Sequence, residues 1–316
     1  MARRGDAFAT YKQLDAGNIK TPLSDPFWEE LRRKQKPFVR QEFSESQERD
    51  MQRMMRVVQD MQKYSRGNVG EIDWDAELAR FEKLPWPDYY LYPFHSVPGG
   101  WLSREAALNN RPAMQSIYVD CHPHACMGMY GELVKYIPSD AKVIVDMGAG
   151  IGDGAAIAAQ QIPDCKVIAL DCSQFMIIVG EKLHAGISNL EFKHALAEDT
   201  GLPADSVDCV VITLVFHECS DEGKADIARE AYRILRPGGT LVLHDTPPTN
   251  LMTYRGFFEP HKIAWTRFDP DEFIAKMGFV DIQEACVTDP PPRGFQVRPT
   301  QESLFTRVAK KPASRL

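Results

Sequence analysis

The sequence predicts an α/β fold built on a seven-stranded, mostly parallel sheet whose last strand runs antiparallel. Three observations carry that reading. From Lys142 onward strand-like and helix-like segments alternate, the pattern of a sheet covered by helices. The first strand ends in an acid and runs into glycines at every second position. At the other end two strands follow one another with no helix between them, so as neighbours they must pair antiparallel.

The elements follow in order. Val143 to Met147 is the first strand and Gly152 to Gln161 the first helix of the sheet domain. Lys166 to Asp171 is the second strand, followed by a helix over Ser173 to His184. Asn189 to His194 is a short third strand. Val207 to Phe216 is a long apolar fourth strand suited to the sheet centre, where both faces are covered. A helix over Asp221 to Leu235 leads through Arg236 to Gly239 into a strand at Thr240 to His244. A helix around Asp271 to Met277 and strands Val280 to Ala285 and Ser303 to Ala309 complete the domain, with Pro291 to Thr300 as the last connection.

Before about residue 115 the character changes. Ser44 to Ser65 reads as a helix with Met51, Met54, Met55, Val58 and Met61 on one stripe, opened by Ser44 and Gln47 as a capping box. Asp73 to Leu84 reads as another. Leu84 to Trp101 is too rich in proline and glycine for regular structure and carries Trp86, Tyr89, Tyr90, Tyr92, Phe94 and Trp101. Such aromatics supply large buried area, either by docking this arm on the catalytic domain or by walling a substrate pocket. The expected division is a helical, aromatic-rich extension over 1–115, covering the acceptor site, and a catalytic domain over 116–316 with a lid insertion at 247–268.

Composition narrows the class. At 316 residues with 44% hydrophobic and 26% charged residues, the chain has ample sequence for a core. A net charge of −7 argues against a partner with a long phosphate backbone, so no nucleic acid is expected. There is no run of eighteen apolar residues and no signal-like N-terminus, which leads to the expectation of a cytoplasmic protein without a membrane partner. Seven scattered cysteines fit reduced thiols in that compartment. Cys121 to Cys126 (CHPHAC) is interrupted by Pro123 and lacks a second ligand pair, so no metal is expected.

The glycine loop identifies a cofactor class. Asp146, Gly148, Gly150, Gly152 and Gly154 alternate, and Asp153 stands where a dinucleotide loop needs its third glycine. A carboxylate at a helix mouth opposes a diphosphate, because the free amides and dipole there favour anions. The pattern suits a zwitterion bearing a sulfonium and an amino group, as S-adenosylmethionine does. About twenty residues on, Asp171 ends the second strand and is placed to accept from both ribose hydroxyls. Ala197 to Asp199 follows the third strand, where a backbone amide and an acidic side chain read an adenine edge. Cys172 and Thr213 stand at the carboxyl ends of the second and fourth strands, on the same edge of the sheet.

These blocks, with RILRPGGTLVLHD at the fifth strand, resemble the class I S-adenosylmethionine-dependent methyltransferases, and among them the ubiquinone/menaquinone C-methyltransferase-like group. The resemblance covers about Tyr118 to Lys310. It implies a Rossmann-like seven-stranded sheet with a reversed last strand. It also implies methionine-moiety contacts at Gly148, Gly150 and Gly152, a ribose contact at Asp171 and adenine contacts at Ala197 and Glu198. One departure stands out: many members carry an aspartate just before that alanine, and here it is Leu196. Adenine N6 must then be met by Glu198, Asp199 or water.

The expected function is methyl transfer to a small-molecule acceptor, with homo-oligomerisation left open. His217 and Glu218 follow the central strand and are the candidate bases, and His244 ends the neighbouring fifth strand as a third. Glu259 and His261 lie in the insertion. Two alternatives remain at this stage. One is S-methylation giving a sulfonium product, with the aromatic arm as a cation–π box. The other is a protein that binds S-adenosylmethionine without catalysis. A nucleic-acid methyltransferase is disfavoured by charge and by the lack of an Asn-Pro-Pro-aromatic tetrad after the fourth strand.

Overall fold

The computed structural model describes residues 69–91, 94, 100–118, 130–131, 133–246, 261–265, 267–285 and 305–313. The expected helix at Ser44 to Ser65, the Cys121 to Cys126 cluster, Glu259, most of the insertion and the Pro291 to Thr300 connection lie outside them.

Seven strands form one sheet in the order β3-β2-β1-β4-β5-β7-β6. They are β1 (Val143–Met147), β2 (Lys166–Asp171), β3 (Leu190–His194), β4 (Val207–Thr213), β5 (Leu235–Asp245), β6 (Val280–Ala285) and β7 (Phe305–Lys310). The first five pair in parallel, and β7 inserts antiparallel between β5 and β6. The strand order reverses between β1 and β4, the crevice at which open α/β sheets bind ligands.

Alternation along the strands divides the core. Val145, Met147, Val210, Ile212, Leu241 and Leu243 face one layer, with Ile227, Ala231 and Ile234 of a helix over Asp221–Ile234. Ile144, Cys209, Val211 and Val242 face the other, with Ala155, Ala158 and Ala159 of a helix over Asp153–Gln161. Full burial of each larger aliphatic side chain contributes about 1.5–3 kcal/mol.

In chain order the helices are α1 (Trp74–Leu78), α2 (Arg104–Tyr118), α3 (Asp153–Gln161), α4 (Gln174–Leu183), α5 (Asp221–Ile234), α6 (Lys262–Trp265) and α7 (Pro270–Lys276). Side-chain caps fix several of their starts: Ser173 Oγ accepts from Met176 N, Ser220 Oγ from Gly223 N, and Asp269 from Asp271 N and Glu272 N. Among the described residues no helix is long and apolar enough to cross a membrane.

Three elements depart from expectation. The helix expected over Asp73 to Leu84 stops at Leu78, and the chain then runs without regular structure to the turn at Asp88–Leu91. Strand β4 ends at Thr213 rather than Phe216, because Leu214 takes the left-handed φ of 57° and turns the chain into a 3-10 turn over Phe216–Glu218. Strand β5 begins at Leu235, pairing with Val207 before the Arg236 to Gly239 segment shifts the register.

The extension is built into the domain. Leu91, Leu102, Ala106 and Ala107 form a third apolar cluster with Ile151 and with Phe175, Met176 and Val179 of α4. Helix α2 runs past residue 115 and reaches the glycine loop, where Arg111 Nε donates to Asp153 Oδ2 at 2.9 Å and a second guanidinium nitrogen bonds Oδ1. His184 Nε2 lies 3.1 Å from the same Oδ1. Burial alone would raise the Asp153 pKa, but these partners hold it below the ordinary carboxylate range. Its charge is therefore met within the protein, and the expected repulsion of an anionic ligand is largely cancelled.

A depressed pKa stabilises the fold above the unfolded value of 3.8 and ceases to do so as pH falls through the folded value. Arg111→Ala is expected to cost about 2–3 kcal/mol near pH 7, with Arg111 itself 27% exposed, by leaving a buried carboxylate short of a partner. Urea unfolding at pH 7 and pH 3.5 checks this, with the deficit shrinking at the lower pH.

Candidate active site

The carboxyl edge of the sheet is organised around Asp171. Its Oδ2 accepts from Gly150 N at 2.8 Å and its Oδ1 from Ser173 N at 2.8 Å, so the acid of β2 ties down the loop after β1. Burial pushes its pKa up to about 6 even though the Ser173 and Gly150 amides favour the charged form. Two glycines of the loop are required sterically. Gly148 has φ 77° and a Cβ there would lie 2.6 Å from Val215 Cγ2; Gly152, also at φ 77°, would put one 2.6 Å from the Phe192 ring.

A cleft of about 460 Å³, open in part to solvent, lies along this edge. It is lined by Gly148, Asp171, Cys172, Ala197, Glu198 and Glu218, with Leu170, Val215 and Ile227 as apolar wall. The structure thus brings together the expected ribose, adenine and loop positions and one expected base. Gly150 contributes through its amide bond to Asp171, and Gly152 through packing at the start of α3.

Asp146 and Thr213 sit elsewhere. They are on the opposite face of the sheet, in a mainly apolar cavity of about 310 Å³ with Tyr130 and Gly154. Asp146 is buried, and its Oδ1 has no hydrogen-bond partner among the described residues. Burial, with the charge of Asp171 second, pushes its pKa up to about 7. An orphaned buried acid beside the glycine loop fits a ligand that brings positive charge, which is the sulfonium and ammonium chemistry of S-adenosylmethionine.

The arm supplies residues that motif reading left unassigned. Trp86 Nε1 donates to the Cys172 carbonyl at 2.9 Å, Tyr89 Oη to Glu198, and Trp101 Nε1 to Glu218 Oε2 at 2.6 Å. Tyr90 is buried against Asp171 and Cys172, which raises its pKa. Tyr89 and Tyr90 also line the cleft, together with Phe94, whereas Trp86 and Trp101 tie the arm to its rim. Their spacing and richness were visible in the sequence; their polar partners, roughly a hundred residues away, were not.

His217 and Asp245 form a buried pair on the same face as the cleft. His217 Nδ1 lies 2.6 Å from Asp245 Oδ1, and Asp245 Oδ2 accepts from His217 N at 3.2 Å. A carboxylate only accepts, so Nδ1 carries the proton and Nε2 turns to Glu218 Oε1 at 3.5 Å. Asp245 ends β5 beside His244, and only β4–β5 pairing puts it against His217. His244 points to the other face: it is fully buried, its Nδ1 lies 2.8 Å from Thr306 Oγ1, and burial lowers its pKa to about 4. It sits apart from the cleft and holds β5 to β7. His261 packs edge-on against Tyr89 with ring centroids 6.2 Å apart. Among the described residues no group of three or more His, Cys, Asp or Glu is placed to hold a metal.

Comparison with known proteins bears on the domain that carries this edge. Residues 144–239 match the model of a methyltransferase domain family. The chain is 34% identical over 122 residues to a demethylmenaquinone methyltransferase of Clavibacter sepedonicus, across 38% of this chain and 48% of that protein. It is 34% identical over 119 residues to a ubiquinone/menaquinone biosynthesis C-methyltransferase of Hahella chejuensis, across 36% and 47%. It thus spans about half the length of these relatives. The fold is similar to that of human N-acetylserotonin methyltransferase in complex with S-adenosylmethionine, with a TM-score of 0.53 at 15% identity, over 83% of this chain and 68% of that one. Residues 144–239 thus carry a methyltransferase domain, on a fold similar to that of a methyltransferase solved with S-adenosylmethionine.

Proposed function

We propose that this protein transfers the methyl group of S-adenosylmethionine to a small-molecule acceptor. The observation that supports it most is the single cleft that unites Gly148, Asp171, Ala197 and Glu198 with Glu218, next to the His217–Asp245 pair. The names of the partial relatives, which act in quinone biosynthesis, favour a small acceptor in the same direction. When bound, the sulfonium supplies an electrophilic methyl group. In this reading Asp171 accepts from the ribose hydroxyls, Asp146 balances the positive charge of the methionine end, and the aromatic arm with the 247–268 insertion covers the acceptor.

The protein's own chemistry is alignment, exclusion of water and movement of one proton. Asp245 holds the His217 ring with Nδ1 protonated, and in this reading His217 and Glu218, 3.5 Å apart at Nε2 and Oε1, take the proton of an acceptor hydroxyl or carbon acid. Asp245 acts here as a positioning residue. Positioning and desolvation lower the barrier by several kcal/mol, and a base adds roughly 10²–10⁴ in rate.

Incubation with methyl-labelled S-adenosylmethionine and a metabolite extract is expected to yield a labelled small molecule identifiable by mass. Tight cofactor binding with no transfer across a wide extract would convert the reading to a binding protein. With the acceptor in hand, His217→Ala is expected to lower kcat by 10²-fold or more and Asp245→Asn by at least tenfold, with KM for S-adenosylmethionine changed less than threefold. Unchanged turnover in both would remove the base.

Asp146 also predicts a pH dependence. Its pKa of about 7 in the free protein must fall when a cation binds beside it, so binding releases a proton and affinity rises with pH. The Kd for S-adenosylmethionine should weaken by up to about tenfold per unit below pH 7, and Asp146→Asn should flatten the dependence between pH 6 and 8. Calorimetry in buffers of different ionisation enthalpy reads the released proton directly.

A further inference from the structure

The segment after β3 runs Leu196, Ala197, Glu198 and Asp199, so its acids follow the alanine and an apolar residue precedes it. Leu196 pairs with Asp199, whose N–H donates to the Leu196 carbonyl at 3.2 Å, so that amide is taken up by the turn itself. Asp199 is exposed, while Ala197 and Glu198 line the cleft. Of the acids in this turn, Glu198 is therefore the one placed to meet a ligand.

Glu198 does not stand alone. Tyr89, 109 positions earlier in the 3-10 turn at Asp88–Leu91, donates its hydroxyl to Glu198 Oε1. Tyr89 also lines the cleft, and its ring is fixed by close packing: a Cβ on Gly223 of α5 would lie 2.5 Å from Tyr89 Cε1. Tyr89 lies outside residues 144–239, the part matched to the methyltransferase family, whereas Glu198 and Gly223 lie within it.

Resting on the proposed function, we infer that Tyr89 is a specificity-determining positioning residue of the cofactor site: it holds the Glu198 carboxylate so that Oε2 accepts the 6-amino group of a bound adenine. The extension then completes the adenine end of the cleft, where Leu196 offers no polar side chain. A half-buried carboxylate that is free to turn accepts poorly from a fixed donor, and a rigid partner removes that freedom. Burial raises the Glu198 pKa, and the hydroxyl bond from Tyr89 acts against that rise, favouring the charged acceptor. A site built to pair one polar group of its ligand rejects the analogue lacking it, because its own group is left unpaired.

The test compares S-adenosylhomocysteine with its analogue whose purine lacks the 6-amino group, by calorimetry on the full-length protein. Wild type is expected to prefer S-adenosylhomocysteine by about tenfold or more. Tyr89→Phe, which keeps the ring and its packing, should weaken S-adenosylhomocysteine by about tenfold, leave the analogue within twofold, and so reduce the preference to threefold or less. Glu198→Ala should do the same, which keeps the question answerable if the tyrosine variant melts early. An equal loss for both ligands in Tyr89→Phe, or a wild-type protein that binds both alike, would overturn the assignment while leaving the methyltransferase reading in place. Failure of wild type to bind S-adenosylhomocysteine at all would instead overturn the reading of the cleft.

Discussion

The Asp171 carboxylate, held between the amides of Gly150 and Ser173, is the interaction on which the rest of the site depends. It joins the ends of β1 and β2 through a glycine-rich loop whose one large side chain, Ile151, is buried against α4, and it starts α4, whose cap is the same Ser173. The amides only partly offset burial, since its pKa still stands near 6. A ligand hydroxyl that donates to the charged form recovers part of that cost. Asp146 presents the same situation on the other face of the sheet, with an oxygen that no described residue meets. The free protein thus carries two buried acids with raised pKa values, which the proposed cationic, hydroxyl-bearing ligand would bring back down.

A second constraint is the way the N-terminal arm is attached. It docks by aromatic burial, but three of the rings that cross the active edge also carry a polar atom with a fixed partner: Trp86 at β2, Tyr89 at the turn after β3, Trp101 at the turn after β4. Buried Trp and Tyr need such partners, so apolar docking and polar registration come from the same side chains. Arg111 adds a charged tie to Asp153 at the first turn of α3. The glycine loop is consequently held by α2 on one side and by Asp171 on the other. Past the 3-10 turn, Trp265 stacks on Phe268 at 4.6 Å and lies edge-on to His217, anchoring the end of the insertion near the dyad.

Much of this was readable because it is local. The bounds of β1 and β2 match expectation to the residue, since an apolar run bounded by an acid or glycine is a short-range signal. The antiparallel end of the sheet followed from two strands without a helix between them. The length of β4 was misjudged because Leu214 is apolar like its neighbours, and its left-handed φ leaves no mark in composition. Asp153 reads in the sequence as a charge facing a ligand because Arg111, 42 positions earlier, has no periodic relation to it.

The sequence by itself determined the α/β class, the cofactor loop and the strand ends that carry Asp171, Ala197 and Glu198, because each rests on spacing within one βα unit. Tertiary structure alone decided the pairings that give those residues their chemistry. His217 finds Asp245 through the β4–β5 register, His244 is turned to the opposite face by strand alternation, and Tyr89 reaches Glu198 only because the arm folds back across the sheet edge. A pair's energy depends on distance and burial, and neither is encoded by separation along the chain.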